Sequence, residues 1–359
     1  MLAFQADELV KRRSASSAVS SFARSSSRAF NFKRPSRRAT LAAWLIALVS
    51  FGAVVALLLH ISELEKLSQL IRDIQPIYLF VALGLQTLTY FCAAAVWHVA
   101  LKRRVPGVTI ATLAPIALAM LFVNQAFPTA GISGSIVVVQ ALRKRRVPTN
   151  VAMAALVIGL MTTYFAYLLA VLTSLALLIA YYKVSRWLIT LTGFFALAAV
   201  GIPAAVVWYR ESFAPRMQTR LRRVPGIGSL LDAIGSIPTK LLHDPGVLGR
   251  AVAFQLLEIV LDAATLYVLL IAIGTAVAPT GALVSFVMAF AVAQLVPVPL
   301  GLGTFEASLV AMLRLVGIPL EAAFTATLLL RGFTMWLPMV PGLWFARREL
   351  RPRHRNMHA

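Results

Sequence analysis

Residues 282–316 read ALVSFVMAFAVAQLVPVPLGLGTFEASLVAMLRLV, and their reading decides the fold. An apolar arm, Ala282–Val296, stops at PVPLGLG (297–303), and a second arm, Thr304–Val316, follows at once. That second arm, 13 residues long, makes roughly 20 Å of helix, too short for the ~30 Å of a bilayer's hydrocarbon. The same order occurs earlier: Val108–Ala126, then PTAGISG (128–134), then the 8-residue arm Ser135–Leu142. A short arm that cannot cross predicts a re-entrant hairpin, which enters and leaves on one side. Irregular backbone at membrane depth is tolerated only where protein or water surrounds it. The plainer alternative is that Pro and Gly merely kink two ordinary spans.

Outward from these hairpins, six apolar runs are long enough to cross: Ala39–Ile61, Pro76–Leu101, Thr149–Tyr182, Trp187–Tyr209, Val252–Gly274 and Ala322–Ala346. The third lacks turn punctuation and predicts one long tilted helix with a bend at Gly159. The composition agrees: 60% of the 359 residues are hydrophobic, against 45–50% in soluble domains, and mean hydropathy is +0.83. A soluble enzyme is excluded as the default. The fold class expected is an all-α integral membrane protein, with about six transmembrane helices and two re-entrant hairpins. The single cysteine, Cys92, lies in an apolar run and offers neither a disulfide framework nor a Cys-based metal site.

The net charge of +21 fits either a nucleic-acid binder or a membrane protein with Lys and Arg in its cytoplasmic loops. Position decides. Residues 1–38 are rich in Ser and Arg, without apolar period, and predict a disordered basic tail. With that tail inside and the first hairpin re-entrant, 28 of the 34 basic residues are cytoplasmic. They include Lys102–Arg104, Arg143–Arg146, the basic 210–250 loop and the 348–359 tail. Only Lys66, Arg72, Lys183, Arg186 and Arg314 fall outside, and Arg331 lies within a span. Topology thus accounts for the charge, and no nucleic-acid partner is expected. The membrane domain covers 39–347, both termini are cytoplasmic, and the location expected is the cell (plasma or inner) membrane.

The hairpin regions also resemble each other. RVPTNVAMAALVIGL (146–160) aligns with GIPLEAAFTATLLLR (317–331), pairing Pro148 with Pro319, Ala152 with Ala323 and Ala155 with Ala326. In this topology one hairpin enters from inside and the other from outside, so the repeats are inverted. Inverted repeats with broken helices near the midplane are a transporter pattern, and the breaks point to the site.

Residues 295–344, LVPVPLGLGTFEASLVAMLRLVGIPLEAAFTATLLLRGFTMWLPMVPGLW, look like the C-terminal hallmark of the lysylphosphatidylglycerol synthase transmembrane, or flippase-like, family. That hallmark is a Pro-rich break, G-x-G-x-x-E, a Gly-Val/Ile-Pro turn and an Arg in the last span. Pro297, Pro299, Gly301, Gly303, Glu306, Gly317, Pro319 and Arg331 supply it here. Asn124, Pro128, Gly131 and Gly134 stand where the family has its first broken segment. Where many members carry charges after it, this chain has Ser133, Ser135, Gly159 and Leu160. A mechanism that needs those charges does not transfer. The resemblance, over about residues 40–347, implies a polytopic membrane fold and translocation of lipids or lipid-linked headgroups. Several relatives fuse this domain to a transferase domain; none is expected beside the membrane region of this sequence.

Charges inside a membrane are functional candidates by default. Glu258 and Asp262 stand at i and i+4 on one helical face; the plainer reading puts them at a helix end facing the basic cytoplasmic rim. Arg331 is the one deep cation. Glu306 opens the return arm, where a carboxylate suits the helix dipole and can pair with Arg331. Short helices after GISGS and GLGT offer N-terminal N–H groups to an anion such as a phosphate. Ser133, Ser135 and Thr304 either cap these helices or donate to that phosphate. Asn124, Gln125 and Gln294 are amides beside the breaks. His60 and His98 lie at span ends and read as interfacial. No HExxH, Cys/His cluster or P-loop is present, and GLGTFE follows no strand, so it is no dinucleotide fingerprint.

The function expected is translocation of an anionic phospholipid or lipid-linked headgroup between leaflets, without cofactor or covalent chemistry. Membrane lipids are the expected partners, with a lipid-synthesis enzyme as a further one. Two rivals stand beside it: a membrane-embedded lipid-carrier transferase, and a non-transporting subunit of a lipid or envelope synthesis complex.

Overall fold

The computed structural model describes residues 74–102, 104–126, 132–181, 186–212, 244–295 and 303–350. The expected first span, the basic N-terminal tail, residues 351–359 of the C-terminal tail, Pro128, Gly131, Pro297, Pro299, Gly301 and most of the 210–250 loop lie outside these residues; the C-terminal tail's first three residues instead end the last helix.

Among the described residues every regular element is a helix. They run α1 (Pro76–Leu101), α2 (Ile110–Ala126), α3 (Ile132–Lys144), α4 (Thr149–Tyr181), α5 (Arg186–Ser212), α6 (Pro245–Ala272), α7 (Pro279–Leu295), α8 (Thr304–Leu315), α9 (Leu320–Arg331) and α10 (Leu337–Leu350). A five-residue π-helical turn, Gly332–Trp336, joins α9 to α10. In hydrocarbon a backbone must satisfy its own N–H and C=O groups, and a helix does so within one segment. The starts are chosen accordingly. Pro76 and Pro245 open α1 and α6, where their missing N–H costs nothing. The Asp244 carboxylate accepts from the N–H groups of Gly246 (3.0 Å) and Val247 (3.2 Å).

Among the described residues, five stretches are long and apolar enough to cross a membrane: 76–101, 149–181, 188–205, 245–272 and 320–349. Phe80, Leu197 and Val340 are each 70% exposed or more, which fits side chains facing lipid. The chain is a multi-pass membrane protein. The boundaries depart from expectation at three places. α5 and α6 extend into the supposed 210–250 loop from both sides. α3 begins at Ile132, within the supposed break, because Asn124 reaches across to cap it. The last span is not one plain helix, since the π turn interrupts it just after Arg331.

The succession repeats. α1, α2, α3 and α4 have 26, 17, 13 and 33 residues. α6, α7 and α8 have 28, 17 and 12, and the final span is built of pieces of 12, 5 and 14. α1 packs along α6, the most extensive helix pairing among the described residues, so the first helices of the two halves meet. α2 packs on α3 as α7 packs on α8. α10 lies against α2 so closely at Gly342 that a Cβ there would meet the Leu118 carbonyl oxygen at 2.7 Å. Buried side chains form two main clusters, one around α4, α6, α7, α8 and α9, the other around α1, α2, α3 and the start of α4.

Candidate functional site

The second break delivers a carboxylate to an arginine. Gly303 precedes α8 with φ +89°, ψ −43°, a left-handed conformation that glycine adopts without strain. The turn it makes brings Glu306, in the first turn of α8, back over its own helix start. Glu306 Oε2 accepts a hydrogen bond from the Gly303 N–H at 2.7 Å. Its other oxygen, Oε1, lies 2.6 Å from Nε of Arg331, the last residue of α9. Both side chains are nearly buried, 11% and 15% exposed. The guanidinium carbon sits 4.3 Å from the centroid of the Phe305 ring, a cation–π contact that favours the charge from a second side. Phe305 in turn meets Phe286 of α7 edge-on, at 6.0 Å and 73°. The sequence places this aromatic next to Glu306 so that α8 presents ring and carboxylate together to one cation.

The π turn begins at the residue after Arg331. Such turns insert an extra residue into the ladder and are frequent at functional sites. Beside it lies an apolar cleft of about 460 Å³ between the start of α1 and the last span. Leu79, Phe80 and Leu83 form one wall, and Leu328, Gly332 and Phe333 part of the other. The cleft therefore borders the arginine's own segment.

The first break has no such charge. Asn124 Oδ1, from the end of α2, accepts from the Gly134 N–H in the first turn of α3 at 3.0 Å. Gly134 is required for this approach, because a Cβ would lie 2.3 Å from that same oxygen. Ser135 is half-buried on α3 and Thr304 half-buried at the start of α8. Gln125 is half-buried and Gln294 exposed. His98 Nδ1 lies 2.9 Å from the Val108 carbonyl oxygen and closes the turn between α1 and α2, a structural post.

Glu258 and Asp262 correct the plainer expectation. They sit in the middle of α6, away from either end. Neither pairs with a Lys, Arg or His among the described residues. Asp262 Oδ1 instead receives a hydrogen bond from Gln86 Nε2 of α1 at 3.3 Å. α1 packs along this face, so the pair is covered by a helix and not by the basic rim. The sequence reading passed over Gln86 because one amide in an apolar span carries no pattern of its own. Its spacing from the Pro76 start could have flagged it only once α1 was known to face α6.

At the ends of α3 and α10, Arg145 forms a two-pronged pair with Glu349, Nη1–Oε2 2.9 Å and Nη2–Oε1 2.7 Å. Lys144 Nζ also donates to the Glu349 carbonyl. Among the described residues, no group of three or more His, Cys, Asp or Glu is placed to hold a metal.

No curated protein matches the chain. The family profile described as the lysylphosphatidylglycerol synthase TM region matches residues 40–342. That stretch takes in both breaks, α1 to α9 and the start of α10, and the chain belongs to this family of lipid-associated membrane domains.

Proposed function

We propose that this protein moves an anionic phospholipid, or a lipid-linked anionic headgroup, between leaflets, with the Glu306–Arg331 pair as the point where the headgroup binds. The observation that carries this reading is the buried pair itself. A guanidinium in a membrane span is expensive, about 2.5–3.5 kcal/mol or more, and here it meets the Glu306 carboxylate and the Phe305 ring. A phosphate offers Arg331 two parallel N–H···O bonds and can take the place of Glu306. Glu306 then keeps its bond to the Gly303 N–H. The apolar cleft beside Gly332 and Phe333 suits an acyl chain attached to that phosphate. The reaction class in this reading is transport.

The two halves stand, in this reading, as inverted repeats with re-entrant hairpins α2–α3 and α7–α8. Single cysteines replacing Arg143 and Val316, in a Cys92→Ser background, are expected to label from opposite sides of the membrane. Labelling from one side removes the inverted topology. The function is tested with the purified chain in phosphatidylcholine vesicles carrying a headgroup-fluorescent phosphatidylglycerol. Access of a membrane-impermeant quencher to the inner-leaflet probe is expected to rise with the protein present. No rise, from folded protein, rejects the proposal.

A further inference from the structure

We propose that Glu258 and Asp262 form a proton-exchange site inside the membrane, and that protonation of this pair couples lipid movement to a pH gradient. The coupling rests on the translocation reading above; the proton site does not. Two carboxylates stand one helical turn apart in mid-span, and among the described residues no Lys, Arg or His pairs with them. A buried charge without a partner is neutralised by proton exchange far more cheaply than it is kept. A second observation points into the same place. Gln86 is only 5% exposed, donates through Nε2 to Asp262 and to Thr89 (3.0 Å), and leaves its Oε1 with no partner among the described residues. The buried hydroxyl of Tyr90 stands beside that amide. A carboxylic O–H would supply the donor that the Gln86 oxygen lacks.

The surroundings favour a proton over a metal cation. α1 and α6 run unbroken through this level, so their carbonyls are held in helical hydrogen bonds. Sodium sites in transporters draw on carbonyls released by unwound helix, and none are released here. Among the described residues, the titratable groups facing the pair are Tyr90 and Cys92 from α1 and Tyr167 from α4. α7 has no titratable residue. α9 carries Glu321 and Arg331, and Arg331 is engaged by Glu306. The step balances simply: a carboxylate takes up one H⁺ from the side of lower pH and gives it up to the other.

Two measurements on the full chain in phosphatidylcholine vesicles test this. Infrared difference spectra between alkaline and acidic buffer are expected to show a carboxylic C=O band that the Glu258→Gln/Asp262→Asn variant loses. Gln86→Leu, which leaves both carboxylates, is expected to shift the pH at which the band grows. A band unchanged in the double variant overturns the proton site. With fluorescent phosphatidylglycerol, an imposed pH gradient is expected to speed translocation several-fold in the native protein, and the double variant is expected to lose that stimulation. Lipid movement indifferent to pH, or driven by a sodium gradient instead, overturns the coupling while the translocation reading stands. No lipid movement at all rejects the translocation reading and the coupling with it, and the infrared band still decides the site.

Discussion

The two breaks solve one problem by different means. Each short helix, α3 and α8, starts where its first N–H groups have no partner in the helix. At the first break an amide from the preceding helix, Asn124, supplies the acceptor and ties α2 to α3. At the second, Glu306 supplies it from within α8 and so keeps one oxygen for Arg331 of α9. The counterpart of Arg331 in the repeat alignment is Leu160, which is 46% exposed. α4 also runs straight through the level where the last span has its π turn. The two halves share a succession of helix lengths, and one of them carries the charge. A neutral clamp ties two helices together, whereas an ion pair between helices is, in the proposed reading, exchanged for another anion.

The largest effect is expected from separating the pair. Arg331→Leu leaves Glu306 buried without its cation and should cost about 3–5 kcal/mol, read as a lower unfolding temperature in detergent. It should also abolish translocation. Arg331→Leu combined with Glu306→Leu replaces both charges with apolar groups, which is often near neutral, so most of the stability should return while translocation stays absent. If the double variant still moves lipid, the pair is structural and the site lies elsewhere. Arg331→Lys keeps the charge without the fork and should fold but translocate more slowly.

The first break should fail in a different way. Gly134→Ala drives a Cβ into the Asn124 side chain and should cost about 1–3 kcal/mol through lost capping and displaced packing. Adding Asn124→Ala removes the clash and leaves only the lost cap, about 1 kcal/mol. Partial recovery of the unfolding temperature in the double variant is the expected result. The first break should not set lipid preference: Asn124→Ala is expected to act equally on anionic and zwitterionic fluorescent lipids, whereas Glu306→Gln changes their ratio. Equal responses in both variants would erase the contrast between the breaks.

How much of this was legible follows from where each signal resides. Span length and apolarity are local and additive, so α1, α4, α5 and α6 stand close to their expected positions. The 17-residue arms α2 and α7 are bounded by Pro and Gly that can be read directly. Glu306 and Arg331 were legible as charges out of place. Their distance was not, because it depends on the turn at Gly303 and on α8 packing against α9. The early start of α3 was hidden because its cap comes from Asn124, ten residues back across a turn. The π turn has no sequence signature beyond its position after Arg331. Glu258 and Asp262 were visible as a pair, but their side of the helix was not, since only α1 packing on α6 brings Gln86 against them.

The smallest effect concerns the tie between the halves at the ends of α3 and α10. Arg145 meets Glu349 with both of its terminal nitrogens, a geometry that makes the most of a pair. The arginine is nevertheless 29% exposed, and solvent and salt weaken such contacts. Arg145→Ala is therefore expected to lower stability by about 0.5–1 kcal/mol at low salt. That difference should shrink as ionic strength rises, because the Debye length falls from about 10 Å at 0.1 M to about 3 Å at 1 M. The Lys144 contact to the Glu349 carbonyl persists in the variant and keeps the two helix ends together. The Glu306–Arg331 pair offers the internal control: being nearly buried, its contribution should hardly change with salt. Unfolding temperatures of Arg145→Ala and Arg331→Leu, each compared with the native protein across a salt series, measure both at once. A steep salt dependence for Arg331→Leu and a flat one for Arg145→Ala would mean that the deeper pair is in contact with water, and the contrast between a desolvated centre and a wet rim would be reversed.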